Sequence, residues 1–149
     1  IEDNFKLRSV LEKLFENNKD LLVQEYIPGR EIVCGVYDHG IEGTAHPVAP
    51  IEVNRRFNTK KFPDDLSEPL INKIRKSAKD IHELLELSGI SLIDFILGDD
   101  NNLYVLEVNT VPELTRDSSF VKGIEFFGLK LKDLLSIMLE SAERKFNGR

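Results

Sequence analysis

The sequence predicts an α+β fold, an antiparallel sheet with helices packed on one face of it. Two observations carry this. Stretches with apolar residues at helical spacing alternate with strand-like runs in the order helix, strands, helix, strand hairpin, helix. The strand-like runs are also stopped by turn residues, notably Pro28-Gly29, Asp38-His39-Gly40 and Gly98-Asp99-Asp100-Asn101.

Each element has its own signal. Residues 5–17 place Phe5, Leu7, Val10, Leu11, Leu14 and Phe15 on one helical face, with Lys, Arg and Glu between them. Leu21–Ile27 and Glu31–Tyr37 are apolar, β-branched runs on either side of Pro28-Gly29 and read as an antiparallel strand pair. Thr44–Val53 is broken by Pro47 and Pro50, which cannot donate to a ladder, so it reads as an edge strand or bulged connection. Residues 54–66 read as a loop. Ser67, followed by Glu68 and Pro69, starts a second helix that continues through Leu70, Ile74, Ala78, Ile81 and Leu85 to a left-handed cap at Gly89. Ile90–Leu97 and Asn102–Asn109 form a hairpin, and Thr110–Phe127 is irregular. After Gly128, Leu129 to Ala142 supply the apolar face of a last helix.

Composition bounds the function. The 149 residues suit one domain or a piece of a larger one. With 41% apolar and 31% charged residues, nine glycines and six prolines, disorder, collagen-like repeats and a membrane span are disfavoured. A net charge of −6 argues against nucleic acid or an anionic membrane as the main partner. The single cysteine, Cys34, rules out an internal disulfide and a cysteine zinc cage. The lone cysteine fits a reducing compartment, so the cytoplasm is the expected one, and the acidic and polar opening Ile1-Glu2-Asp3-Asn4 is not expected to belong to a signal peptide.

Chemistry concentrates on the hairpin. In Leu103–Asn109 alternation points Glu107 and Asn109 the same way as Leu103 and Val105. Asp94 sits between Ile93 and Phe95 in a run apolar enough to be buried. A register that opposes Asp94 to Glu107 would converge two carboxylates and an amide oxygen, as a hard cation such as Mg²⁺ requires. A slip of one residue would put them on the wrong face. The competing reading is that both acids pair with basic residues or meet water. The three histidines, His39, His46 and His82, read as structural or exposed.

Taken together, Gln24-Glu25-Tyr26-Ile27-Pro28-Gly29-Arg30-Glu31, then Leu92-Ile93-Asp94-Phe95, then Leu106-Glu107-Val108-Asn109-Thr110-Val111-Pro112 with Thr115 and Ser118, resemble the carboxy-terminal half of the D-alanine–D-alanine ligases, a family of ATP-grasp carboxylate–amine ligases. The resemblance implies an ATP-grasp carboxy-terminal subdomain spanning 1–149 as a single unit, without the amino-terminal substrate domain and Gly-rich loop. It implies ATP with Mg²⁺, or Mn²⁺ in its place, and small amino-acid substrates, D-alanine first among them. A homodimer and a role in peptidoglycan, the bacterial cell wall, also follow from it.

Residue by residue, the resemblance implies that Asp94, Glu107 and Asn109 bind the metal. Gln24, Glu25, Tyr26 and Ile27 form the adenine wall, and Glu31 accepts two hydrogen bonds from the ribose diol. Lys61 reaches the terminal phosphate and Ser118 holds the acceptor's carboxylate. Three positions depart from the pattern. Leu92 stands where the family has an oxyanion-stabilising Arg, Glu113 where a Gly lends its N–H, and Phe62 where a Tyr closes the loop. A chain of this extent is expected not to ligate alone, and a homologue that binds ATP but has changed or lost its acceptor is the alternative.

Overall fold

The computed structural model describes residues 4–17, 20–41 and 44–147. Ile1–Asp3, on which the reading of the chain's start rests, lie outside the described residues, and so does the side chain of Phe5.

The elements run α1 (Asn4–Phe15), β1 (Gly29–Tyr37), β2 (His46–Pro47), β3 (Ile51–Asn54), β4 (Thr59–Lys61), α2 (Glu68–Leu84), β5 (Ile90–Gly98), β6 (Leu103–Asn109), α3 (Ser119–Phe126) and α4 (Leu131–Asn147). The sheet order is β4-β3-β1-β5-β6, with β2 also on β1, and every pairing is antiparallel. The expected α+β antiparallel sheet is therefore present.

Helices cover both faces rather than one. Ile32, Cys34 and Val36 of β1 and Ile93, Phe95 and Leu97 of β5 form one core cluster with Ile74 and Ala78 of α2. The opposite face carries a second cluster, in which Phe120 and Ile124 of α3 and Leu134 of α4 meet Val48 and Ile90. Gly35 makes that approach possible, because a Cβ there would stand 2.7 Å from the Phe120 ring. α1 forms as its spacing predicts, but its Val10, Leu14 and Phe15 remain exposed.

Leu21–Ile27 does not form a strand. Its expected partner has no free edge: β1 bonds β5 along one side and β2 and β3 along the other. Leu22, Val23 and Tyr26 consequently lie exposed. The proline-broken stretch behaves as expected, two short segments on β1 interrupted at 48–50, with the Val48 N–H bonded to the Gly35 carbonyl at 2.8 Å.

Two elements were not legible as such. β4 pairs with β3 inside the expected loop, and α3 occupies most of the second half of the stretch expected to be irregular. α2 ends at Leu84, five residues before Gly89, and Glu86 at φ 51° takes the left-handed position instead. Among the described residues no helix is long and apolar enough to cross a membrane.

Candidate nucleotide and metal site

Strand parity assembles the site. Directly opposed residues share a sheet face, so the pairs Val33↔Asp94, Glu31↔Ile96 and Asp94↔Glu107 put Glu31, Asp94 and Glu107 on the α3 side. Leu92↔Asn109 adds Asn109 to that side. The register on which the convergence of the two carboxylates depended, Asp94 opposite Glu107, is the one observed.

The alternation expected for β6 does not hold. The register shifts between Asp94 and Phe95, which pair with Glu107 and Val105, leaving Leu106 as an extra residue. This bulge sends Leu103 into the α2 cluster while Glu107 turns to the opposite face. Leu103 and Val105 therefore do not share a face with Glu107 and Asn109.

Asp94 is 6% exposed, and its Oδ1 is buried without a hydrogen-bond partner. Burial, then the neighbouring Glu107 and Glu31, push its carboxyl up to about 6, against the pull of Arg55. A carboxylate with an unmet oxygen and two acids nearby is electrostatically short of a cation. Among the described residues no three His, Cys, Asp or Glu side chains form a closed metal cage. Two carboxylates and an amide suit Mg²⁺ all the same, since that ion keeps waters and takes further oxygens from substrate phosphates. Asn109 Oδ1 accepts from the Val111 N–H at 2.9 Å, which fixes the amide and leaves that oxygen a second lone pair.

Arg55 was not singled out from the sequence. Its Nε donates to both Glu31 oxygens at 2.8 Å, its Nη2 also donates to Glu31, and Nη2 lies 3.8 Å from Asp94 Oδ2. Hydrogen bonding to Glu31 raises its pKa above the ordinary arginine value. Continuing the alternation of Ile51 and Val53 would have placed it on this face.

The structure separates the two neighbouring lysines. Lys60 opposes Val53 on the carboxylate face, and its Nζ donates to the Asp117 carbonyl at 3.1 Å. Lys61 opposes Glu52 on the α2 face, 3.6 Å from Glu52 Oε2. There Arg30 binds Glu52 through Nε and Nη2 at 3.0 and 2.8 Å, and Asp65 through Nη1 at 2.7 Å. Lys61 is thus not brought to Asp94, Glu107 and Asn109.

Gln24, Glu25 and Tyr26 are exposed and Ile27 is half-buried, on the segment leading into Glu31. Ser118 is buried as the N-cap of α3, its hydroxyl oxygen accepting from the Val121 N–H at 3.2 Å and its proton left free to donate. Of the departures, Leu92 packs against the α3 cluster, and Glu113 accepts from the Thr115 hydroxyl at 2.8 Å. Phe62 stacks on Phe126 with ring centroids 4.0 Å apart.

Comparison with known proteins places the family and the fold. Residues 1–140 match the family model for the D-ala D-ala ligase C-terminus. The D-alanine–D-alanine ligase of Geobacter sulfurreducens is 32% identical over 152 residues, which cover 96% of this chain and 48% of that protein. The D-alanine–D-alanine ligase structure from Coxiella burnetii superposes with a TM-score of 0.82 at 27% identity, covering 99% of this chain and 42% of that one. The Bacillus anthracis enzyme, complexed with ATP, gives 0.77 at 26%, covering 99% and 48%. The chain spans about half the length of the relatives it matches. With a family model matched over nearly its whole length, the chain belongs to the family of D-alanine–D-alanine ligase carboxy-terminal domains.

Proposed function

We propose that this chain is the nucleotide- and metal-holding side of an ATP- and Mg²⁺-dependent carboxylate–amine ligase acting on D-alanine or a related amino acid. The observation that carries the reading is Asp94, buried with an unmet oxygen and opposed by Glu107.

Asp94, Glu107 and Asn109 would hold Mg²⁺ or Mn²⁺ against the ATP phosphates, where a bound metal neutralises charge on the transferring group. Glu31 would accept the ribose hydroxyls once Arg55 leaves it, and Arg55, with its side chain 72% exposed, is free to turn toward phosphate. Gln24–Ile27 would face adenine, the Gln24 amide oxygen accepting from the base. Parity favours Lys60 over Lys61 for the terminal phosphate, since Lys61 would need the β3–β4 hairpin to move. Ser118 at the start of α3 would donate to the acceptor's carboxylate, beside N–H groups that favour an anion.

The reaction is phosphoryl transfer from ATP to a carboxylate oxygen, giving an acyl phosphate and ADP. The amine nitrogen then attacks the acyl carbon, the C–N bond forms as the C–O bond to phosphate breaks, and the nitrogen loses a proton. Phosphate release by the complete ligase is expected to require ATP, Mg²⁺ and amino acid together, and Glu107→Gln to abolish it. Normal turnover in that variant would overturn the metal assignment. The 149 residues alone are expected to form no amide.

A second reading rests on Leu92 and Glu113. Neither can stabilise an oxyanion, which favours a homologue that binds ATP with a changed acceptor or little ligation. ADP release across a panel of amino acids separates the two: a response to D-alanine supports the first, and none to any acceptor supports the second.

A further inference from the structure

At the β2 edge of the sheet, between α2 and α3, lies a cavity of about 190 Å³ lined by Tyr37, His46, Arg75, Ile124, Phe127 and Leu129 among others. Tyr37 and Glu31 are at opposite ends of β1, about 20 Å apart at the rise of a strand, so this cavity is separate from the carboxylate site.

Arg75 is the unresolved group here. Its Nη2 donates to the Pro47 carbonyl at 3.2 Å, and its guanidinium lies 4.8 Å from the centre of the Phe127 ring. Its Nε is buried without a hydrogen-bond partner, and among the described residues the side chain has no carboxylate counter-ion. A half-buried cation with an unmet donor costs folding free energy unless something pairs with it. The remaining walls are aromatic and aliphatic. Burial and the nearby His39 and Lys79 hold His46 below its ordinary pKa, so at neutral pH Arg75 is the charge on the cavity wall.

We propose that this cavity is a binding site for a small organic carboxylate, its oxygens on the Arg75 guanidinium and its apolar body against Ile124, Leu129 and Phe127. The volume lies below the roughly 300 to 1,000 Å³ of sites that take drug-sized ligands, which limits the occupant to a short-chain acid. The planar fork of arginine favours a carboxylate over a neutral amide of the same shape.

Isobutyrate and the isosteric neutral isobutyramide are suitable probes, read by methyl NMR of the wild-type chain at Val48, Ile124 and Leu129. Isobutyrate is expected to shift these methyls saturably, and isobutyramide to bind about tenfold more weakly or worse, the effect of losing a charge-assisted bond. Arg75→Gln should lose the preference for the acid. Should that variant fail to fold, Arg75→Lys, which keeps the charge without the fork, should weaken isobutyrate while still preferring it. No saturable shift with isobutyrate, equal response to the amide, or undiminished binding in Arg75→Gln would overturn the proposal. Nucleotide and metal are absent from the experiment, so its outcome is independent of the ligase reading.

Discussion

Asp94 and Glu107 oppose each other across the β5–β6 hairpin at the point where β6 accommodates the extra residue Leu106. Burial first, and then the charge of Glu107 opposite, raise the cost of ionising Asp94, whose carboxyl is pushed up to about 6. The relationship therefore has consequences for proton binding, for stability and for metal affinity.

Carboxyl NMR of the metal-free chain should show Asp94 titrating near 6, lower in Glu107→Gln, which removes a raising charge, and higher in Arg55→Gln, which removes a lowering one. The folded value lies above the ordinary 3.8, so the folded state holds the proton more tightly. Stability linked to Asp94 is complete below about pH 4 and is lost as pH rises through about 6. Asp94→Asn should consequently stabilise the metal-free chain at neutral pH by up to about 3 kcal/mol and have little effect near pH 4, measured by urea unfolding at both.

Gly35→Ala tests the packing that seats α3. The new methyl would meet Phe120 Cδ2 at 2.7 Å and Val48 Cγ2 at 3.0 Å, so a loss of about 1 to 3 kcal/mol is expected from overpacking. Thermal unfolding measures it, and an unchanged midpoint would contradict the close approach.

His82 has a structural role, buried with Asp38, Ser91 and Ser141. Its Nδ1 is 2.8 Å from Ser91 Oγ and its Nε2 3.1 Å from Asp38 Oδ2. Asp38 also accepts from the N–H groups of Gly40 and Gly89 at 2.6 and 2.9 Å. Replacing His82 with Leu would leave a buried hydroxyl unpaired and a carboxylate short of one partner, an expected cost of about 3 kcal/mol by denaturant unfolding.

The two lysines of β4 should differ in effect. In the complete ligase, Lys60→Ala is expected to lower kcat by about tenfold or more, the effect of removing a charge-assisted phosphate contact. Lys61→Ala should act mainly on stability, by less than about 1 kcal/mol for an exposed pair. Steady-state kinetics on both variants decides it, and the opposite ranking would return the phosphate role to Lys61.

The sequence was legible where local signals and tertiary placement agreed. The 98–101 turn and the apolar runs on either side of it were enough to read the β5–β6 hairpin, while the register that opposes Asp94 to Glu107 stayed open until the structure set it. Alternation then misassigned Leu103 and Val105, because a bulge changes parity without leaving a mark in the residue pattern. Leu21–Ile27 has strand composition, yet β1 is saturated on both edges, a fact of topology and not of the segment. α3 was hidden because eight residues give only about two turns in which to see helical spacing, although Ser118 is a good N-cap. Lys60 escaped notice because β4 was read as loop, and without that strand there was no parity to count, while Arg55 lies two residues past the extended stretch whose alternation was not carried on to it.

Asp94 and Glu107 are proposed to hold the metal that accompanies ATP. Electron paramagnetic resonance of Mn²⁺·ATP with the complete ligase measures this most directly, using wild type, Asp94→Asn and Glu107→Gln at matched folded concentration. Wild type should immobilise the Mn²⁺, and each variant should weaken this by about tenfold or more. Undiminished Mn²⁺·ATP binding in both folded variants would contradict it.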